Sequence, residues 1–267
     1  MIVKYRTRLT ALPNLNYIIC LNQIITGERK GKNLMKKKLS LVLLCFLMAL
    51  GILGLSGCGD KEKTSIPDAE EETKEPEYAS LGEAPEPANA EEASYGGFTA
   101  QYDADSWMFD STLMGQFVLY DKEDYDSNSD SLDNINVRVS EDFEGPFTEK
   151  DMNTLINQLN LMGASTGFKI ISNELKTFEG EPVIYYEAET KLTDEMLDML
   201  VEDGSVTEAD LEAMGGREYL ISMPASKQIG INAIIDGKAI TITGTYKDTP
   251  DKLLEAIKLL IKTGKVG

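Results

Sequence analysis

Between residues 59 and 95 the chain offers a hydrophobic core almost nothing. The stretch GDKEKTSIPDAEEETKEPEYASLGEAPEPANAEEASY carries twelve acidic residues, three lysines and four prolines (Pro67, Pro76, Pro85, Pro87). Large apolar side chains are nearly absent, so burial cannot offset the entropy of ordering it. The expectation is an acidic disordered linker over 58–95, spanning roughly 35 Å as a flexible coil. A globular unit is thereby confined to residues 96–267, a length that can bury a core of its own.

Upstream of the linker, Lys36, Lys37 and Lys38 precede a seventeen-residue uncharged run over 39–55. That run is shorter than the ~20 residues of a spanning helix and longer than the 7–15 of a signal-peptide core. The tetrapeptide that ends it, Leu55-Ser56-Gly57-Cys58, resembles the lipobox of bacterial lipoproteins: an aliphatic residue, two small residues, then cysteine. The resemblance implies that 35–57 is a signal peptide cleaved after Gly57. It also implies that Cys58 becomes the N-terminus and carries a diacylglyceryl thioether. Two or more acyl chains, at about 0.8 kcal/mol per buried methylene, hold a protein at a membrane where one does not. The alternative is an uncleaved helical anchor. Residues 1–34 contain no second export signal. Residues 27–32 (GERKGK) are what the purine-rich codons of a ribosome-binding site would encode, so 1–34 is expected to be an upstream extension with the true start at Met35.

Charge divides at the same cysteine. The whole chain holds 26 basic and 45 acidic residues, net −19. Residues 1–57 hold nine of the basic residues and one acidic residue, Glu28, so residues 58–267 hold 17 and 44, net −27. Such a surface repels phosphate backbones and anionic headgroups, which excludes nucleic acid as a partner, and it attracts cations and basic proteins. Histidine is absent, removing the commonest general base and zinc ligand. Of Cys20, Cys45 and Cys58, only Cys58 would survive cleavage, so no internal disulfide is expected.

Within 96–267 the periodicity predicts strands over 98–102, 115–121, 134–140, 168–178, 183–190, 218–223, 229–235 and 238–246. Asp236-Gly237 is a hairpin signal, and Glu179-Gly180-Glu181 joins another pair. Helices are expected near 149–162, capped by Thr148 with Asp151, after Thr193, over 207–214, and after Thr249-Pro250. The fold class is α+β: an antiparallel sheet of six to seven strands covered by helices. The ordered series GFTAQYDADSW (97–107), NINVRV (134–139), the helix, the Gly180 hairpin and AITITGTY (239–246) before a terminal helix resembles the PsbP-like domain of photosystem extrinsic subunits and their bacterial lipoprotein relatives. The resemblance implies an αβα sandwich that binds or assembles rather than catalyses. Two departures stand out: Asp103 where that series has proline, and an inserted helical hairpin over 192–214.

Two acidic constellations could carry chemistry. In 121–133 (DKEDYDSNSDSLD), Asp124, Asp126, Asn128 and Asp130 alternate like the first half of a calcium loop. Ser129 stands where such a loop has glycine, and Ile135 where it has a bidentate glutamate, so this is no EF-hand. A weak Ca²⁺ site or a solvated loop are the readings left open. Asp194, Asp198 and Glu202 recur every four residues, lining one helix face as a docking stripe for a basic partner or simply as a solvated face. Trp107, beside Phe109 and Tyr102, reads as a core or half-buried anchor or as a ligand platform. Met196, Met199 and Met214 read as packing or as an adaptable surface. The KTG triplet at 262–264 lacks an accompanying Ser-x-x-Lys, and no G-x-S-x-G, P-loop or zinc spacing occurs in 96–267.

The expected function is therefore a cell-envelope lipoprotein. Its single α+β domain acts as a non-catalytic binding or assembly module at the outer face of the cytoplasmic membrane, with no cofactor beyond the lipid on Cys58. The alternatives are a Ca²⁺-dependent adhesion or sensing module and a small envelope hydrolase built on carboxylates.

Overall fold

A computed structural model describes residues 77–111, 116–127, 133–202 and 206–267. The leader, Cys58 and the linker up to residue 76 lie outside these residues. Strands β1 (Ala79–Ser80), β4 (Trp107–Phe109), β5 (Phe117–Asp121), β6 (Asn134–Asp142), β7 (Phe168–Phe178), β8 (Glu181–Thr190), β9 (Ser226–Ile235) and β10 (Lys238–Tyr246) form one sheet in the order β1-β7-β8-β9-β10-β6-β5-β4. All its pairings are antiparallel except β1 with β7. Strands β2 (Ala90–Tyr95), β3 (Phe98–Asp103) and β11 (Lys265–Val266) make a second, three-stranded sheet.

Three hairpins turn on two residues that both have positive φ: Gly96-Gly97, Glu179-Gly180 and Asp236-Gly237. That backbone matches the right-handed strand twist, which explains why glycine holds the second position of each.

Alternation along the strands separates the two faces of the large sheet. Ile229, Ile231 and Ala233 of β9, Ile240 and Ile242 of β10, and Ile135 and Val137 of β6 point to one side. There they meet helix α6 (Asp251–Thr263) through Leu253, Ala256, Ile257 and Leu260, and the second sheet through Phe98, Ala100 and Tyr102. Gly244 allows the close approach: a Cβ there would sit 2.2 Å from a Leu253 methyl. Each large side chain so buried is worth about 1.5–3 kcal/mol. On the opposite face helix α2 (Glu149–Thr166) runs along β7 and packs Leu155, Ile156 and Leu159 on Leu175, Ile184, Tyr186 and Ala188. Thr148 and Asp151 close α2's capping box, as the sequence suggests. The layering is helix, sheet, then helix with the small sheet, which is the α+β arrangement expected. Trp107 is a core residue at 3% exposure.

Four expectations change. Residues 79–80 and 90–95, assigned to the linker, are strands β1 and β2. Strand β2 pairs along its length with β3, and Leu81 and Ala93 are buried. Backbone pairing, not side-chain hydrophobicity, places β2, so the composition rule that reads 58–95 as unstructured misses it. The polar loop after β5 opens with a short helix, α1 (Lys122–Asp126), capped by the Asp121 carboxylate accepting from the Asp124 amide at 3.1 Å. The inserted hairpin is three helices: α3 (Asp194–Glu202), α4 (Glu208–Ala213) and α5 (Arg217–Ser222). The last of these replaces the strand expected over 218–223. Gly215 and Gly216, at φ +109° and +84°, reverse the chain just before it, and β9 pairs directly with β8, leaving no ladder position for another strand.

Candidate functional site

The 121–133 segment and the β10–α6 corner meet in a half-buried charge cluster. Asp121 ends β5 and its carboxylate caps α1, whose first turn carries Asp124. Lys247, just after β10, donates to Asp124 Oδ1 at 2.5 Å, and its backbone amide donates to Asp133 Oδ1 at 3.0 Å. The Asp133 amide in turn donates to Asp124 Oδ2 at 3.1 Å. Lys252, in the first turn of α6, makes a short ion pair with Asp121 and lies 5.5 Å from the centre of the Trp107 ring. Burial, reinforced by the neighbouring Asp124, raises the Asp133 carboxyl to about 6 despite the opposing pull of Lys247.

The alternating acids are thus distributed unevenly. Asp124 is engaged from both oxygens by Lys247 and the Asp133 amide. Asp126 is exposed at the end of α1. Asn128 and Asp130 lie outside the described residues. A cation entering at Asp124 would have to displace an ammonium that already neutralises it. Among the described residues no cluster of three His, Cys, Asp or Glu side chains could hold a metal ion. Lys247 and Lys252, which organise the cluster, are separated from Asp124 by more than a hundred residues, and no local spacing signals them.

The second constellation lies in the α3–α5 insertion. Met196, Leu197 and Leu200 turn inward onto Leu192, Val206, Leu211 and Leu220, giving the insertion an apolar cluster of its own. Asp194, Asp198 and Glu202 lie on the exposed side of α3, as their spacing requires. The middle one is answered from within. Arg217, at the start of α5, donates to Asp198 Oδ1 at 2.7 Å and to Glu208 Oε1 at 2.7 Å, which raises its already high pKa, Glu208 acting first. Asp194 and Glu202 make no ion pair among the described residues. Met196 is fully buried packing, while Met199 and Tyr219 are exposed. Counting 191–225, nine acidic and two basic residues give the insertion a net charge of −7.

Among solved structures the chain is similar to the Ran-binding protein Mog1p of Saccharomyces cerevisiae, at 10% identity and a TM-score of 0.39, covering 67% of this chain and 95% of that one. It is also similar to the cyanobacterial PsbP of Synechocystis sp. PCC 6803, at 13% identity and a TM-score of 0.36, covering 67% and 94%. No family model and no curated protein match the chain. The α+β class rests on the chain's own topology, described above. Among the described residues no helix is long and apolar enough to cross a membrane.

Proposed function

We propose that this chain is an envelope-tethered binding module: Cys58 carries the lipid, the acidic stretch after it acts as spacer, and the α3–α5 insertion meets a basic partner. The observation that supports the partner reading is the placement of the insertion. It leaves the sheet after Thr190 and returns at Ser226, two residues that face each other in the β8–β9 ladder. It packs on itself, and it bears an acidic surface with Tyr219 at 55% exposure. A lobe of this kind costs the sheet little and presents charge where a basic protein surface can approach. Acidic complementarity would speed encounter and select against acidic partners. An exposed tyrosine adds an aromatic anchor of the sort that dominates interfaces. Tethering then raises the local concentration of the lobe at the membrane.

Two measurements test the two halves. The intact mass of protein extracted from its native membrane should equal residues 58–267 plus a diacylglyceryl group. A mass that retains 35–57 without lipid refutes the anchor. A photo-reactive residue at Tyr219 should give one discrete cross-linked product on intact cells, lost when Asp194 and Glu202 are both changed to lysine. The same product from a photo-reactive residue at Asn157 on α2, or its persistence in the double variant, refutes the docking role.

A further inference from the structure

Each sheet has two edges, and a strand edge is a row of unpaired backbone groups that can recruit another chain. Three of the four edge strands here are too short for that: β1 and β11 have two residues and β4 has three. Beyond β1, the rim of β7 is interrupted by a register shift between Ile170 and Ser172 and carries the exposed Lys169. Strand β2 is different. It runs for six residues, pairs with β3 in unbroken register, and contains no proline and no lysine.

The hairpin decides which of its backbone groups are free. A two-residue turn at Gly96-Gly97 makes Tyr95 and Phe98 a hydrogen-bonded pair, and such pairs recur at every second residue. Ala93 with Ala100 and Glu91 with Tyr102 follow, and the Ala104 amide donates to the Asn89 carbonyl at 2.8 Å in the same step. Ala90, Glu92 and Ser94 therefore turn their N–H and C=O groups to the other side. Among the described residues no other strand pairs there. The edge is open as well as unpaired, since Ala93 alone of the six residues is buried.

We infer that the free edge of β2 takes up an extended segment of a partner protein that carries two consecutive basic residues. Glu91 and Glu92 lie on opposite faces of the ribbon, so a strand added beside them needs one basic side chain for each face. The added strand makes main-chain bonds to Ala90, Glu92 and Ser94, and its lysines or arginines face the two carboxylates. Glu91 is steadied by the Tyr102 hydroxyl, which donates to it at 3.0 Å. Tyr95, 37% exposed on the same face as Glu91, offers an aromatic contact further along. A second copy of β2 fits poorly. An antiparallel pair that uses all three outward residues centres on Glu92 and sets two carboxylates opposite each other, which is destabilising. The edge belongs to the small sheet, and the inference does not rest on the reading of the α3–α5 insertion.

The test uses the full chain, isotopically labelled, with acetylated and amidated peptides of the form Thr-X-Lys-Arg-X-Thr-X, X being valine, leucine or tyrosine, at up to about 2 mM. In the free protein the amides of Ala90, Glu92 and Ser94 should exchange with solvent faster than those of Glu91, Ala93 and Tyr95. At least one peptide should shift the three outward amides saturably and slow their exchange about tenfold. Glu92→Lys should weaken its binding about fivefold. Of the two forms of that peptide methylated at alternate backbone nitrogens, at least one should not bind. No shift of the outward amides with any peptide overturns the inference, and so does binding by both methylated forms. Equal binding of a peptide with Glu-Glu in place of Lys-Arg, or undiminished binding to Glu92→Lys, overturns the basic partner. Outward amides already protected in the free chain overturn it too: protection lost on dilution assigns the edge to a second copy, and protection that persists assigns it to the chain's own upstream residues. Should Glu92→Lys fail to fold, the methylated and glutamate peptides decide the matter.

Discussion

Gly230 and Tyr186 make a pair whose dependence can be worked out in advance. They face each other in the β8–β9 ladder, and Thr243 lies on the far side of Gly230 in β10. The tyrosine ring crosses the bare glycine and bonds Thr243, and burial pushes its phenol up to about 12. A Cβ built on Gly230 would stand 1.8 Å from Tyr186 Cζ and 2.2 Å from its hydroxyl oxygen, an overlap that only movement of the ring can relieve. Tyr186 is 4% exposed, so the ring has little room to move. Overpacking a core costs about 1–3 kcal/mol and the lost tyrosine–threonine bond about 1 more, so Gly230→Ala should destabilise by about 3 kcal/mol. For a domain of this size the midpoint of thermal unfolding should fall by about 6–12 °C. In a Tyr186→Leu background the overlap is gone, and the same alanine should cost less than about 0.5 kcal/mol, a coupling of about 2 kcal/mol or more in a double-mutant cycle by urea unfolding. Equal losses in the two backgrounds would falsify the claim that ring position, rather than glycine's backbone freedom, is what the site requires.

Other consequences follow from the charge cluster, the caps and the insertion. Because the Asp133 carboxyl is raised to about 6, the folded state favours its protonated form. The stability this confers is complete below about pH 4 and is lost as pH rises through 6. Asp133→Asn should therefore match the parent at pH 4 and exceed it at pH 7.5 by about 1 kcal/mol after solvent screening, read from urea midpoints, and a variant weaker at pH 7.5 counts against the assignment. Thr148→Ala removes one half of α2's capping box and should cost about 1 kcal/mol, with hydrogen exchange accelerating first in residues 149–152. Arg217→Met breaks both of its carboxylate contacts. It should raise amide exchange in α3–α5 while leaving β9 and β10 protected, and uniform deprotection of the sheet would mean the insertion is not a separate unit.

Much of the fold is legible wherever local chemistry and tertiary placement agree. Strand β10 and its turn are readable because Asp236-Gly237 can adopt the positive φ that a two-residue hairpin needs and the flanking residues alternate. The bounds of β7 are equally plain. Residues 218–223 mislead because Tyr219, Leu220 and Ile221 carry strand propensity; their helix is decided by the two glycines before them and by Arg217 reaching Asp198 and Glu208. Strand β2 is invisible for the opposite reason: five of its six residues are exposed, and only pairing with β3 orders them. The acid stripe on α3 is a matter of helical period and is readable. The lysines that engage Asp121 and Asp124 are not, because the contacts cross the whole domain. The burial of β9's polar residues hides most completely. Along β9, glutamine and asparagine alternate with isoleucine as they would on any strand with a wet face, yet Gln228 and Asn232 are buried.

The ladder that holds the insertion also bears on how the domain assembles. Strands β7–β8 and β9–β10 are each closed by two residues and can zip within microseconds. The seam between them, β8 against β9, is closed by thirty-five residues, 191–225. By loop-closure entropy that seam costs about 2.5 kcal/mol more to join than a two-residue turn would. Two preformed ribbons therefore meet late, and shortening the insertion should quicken refolding more than it slows unfolding.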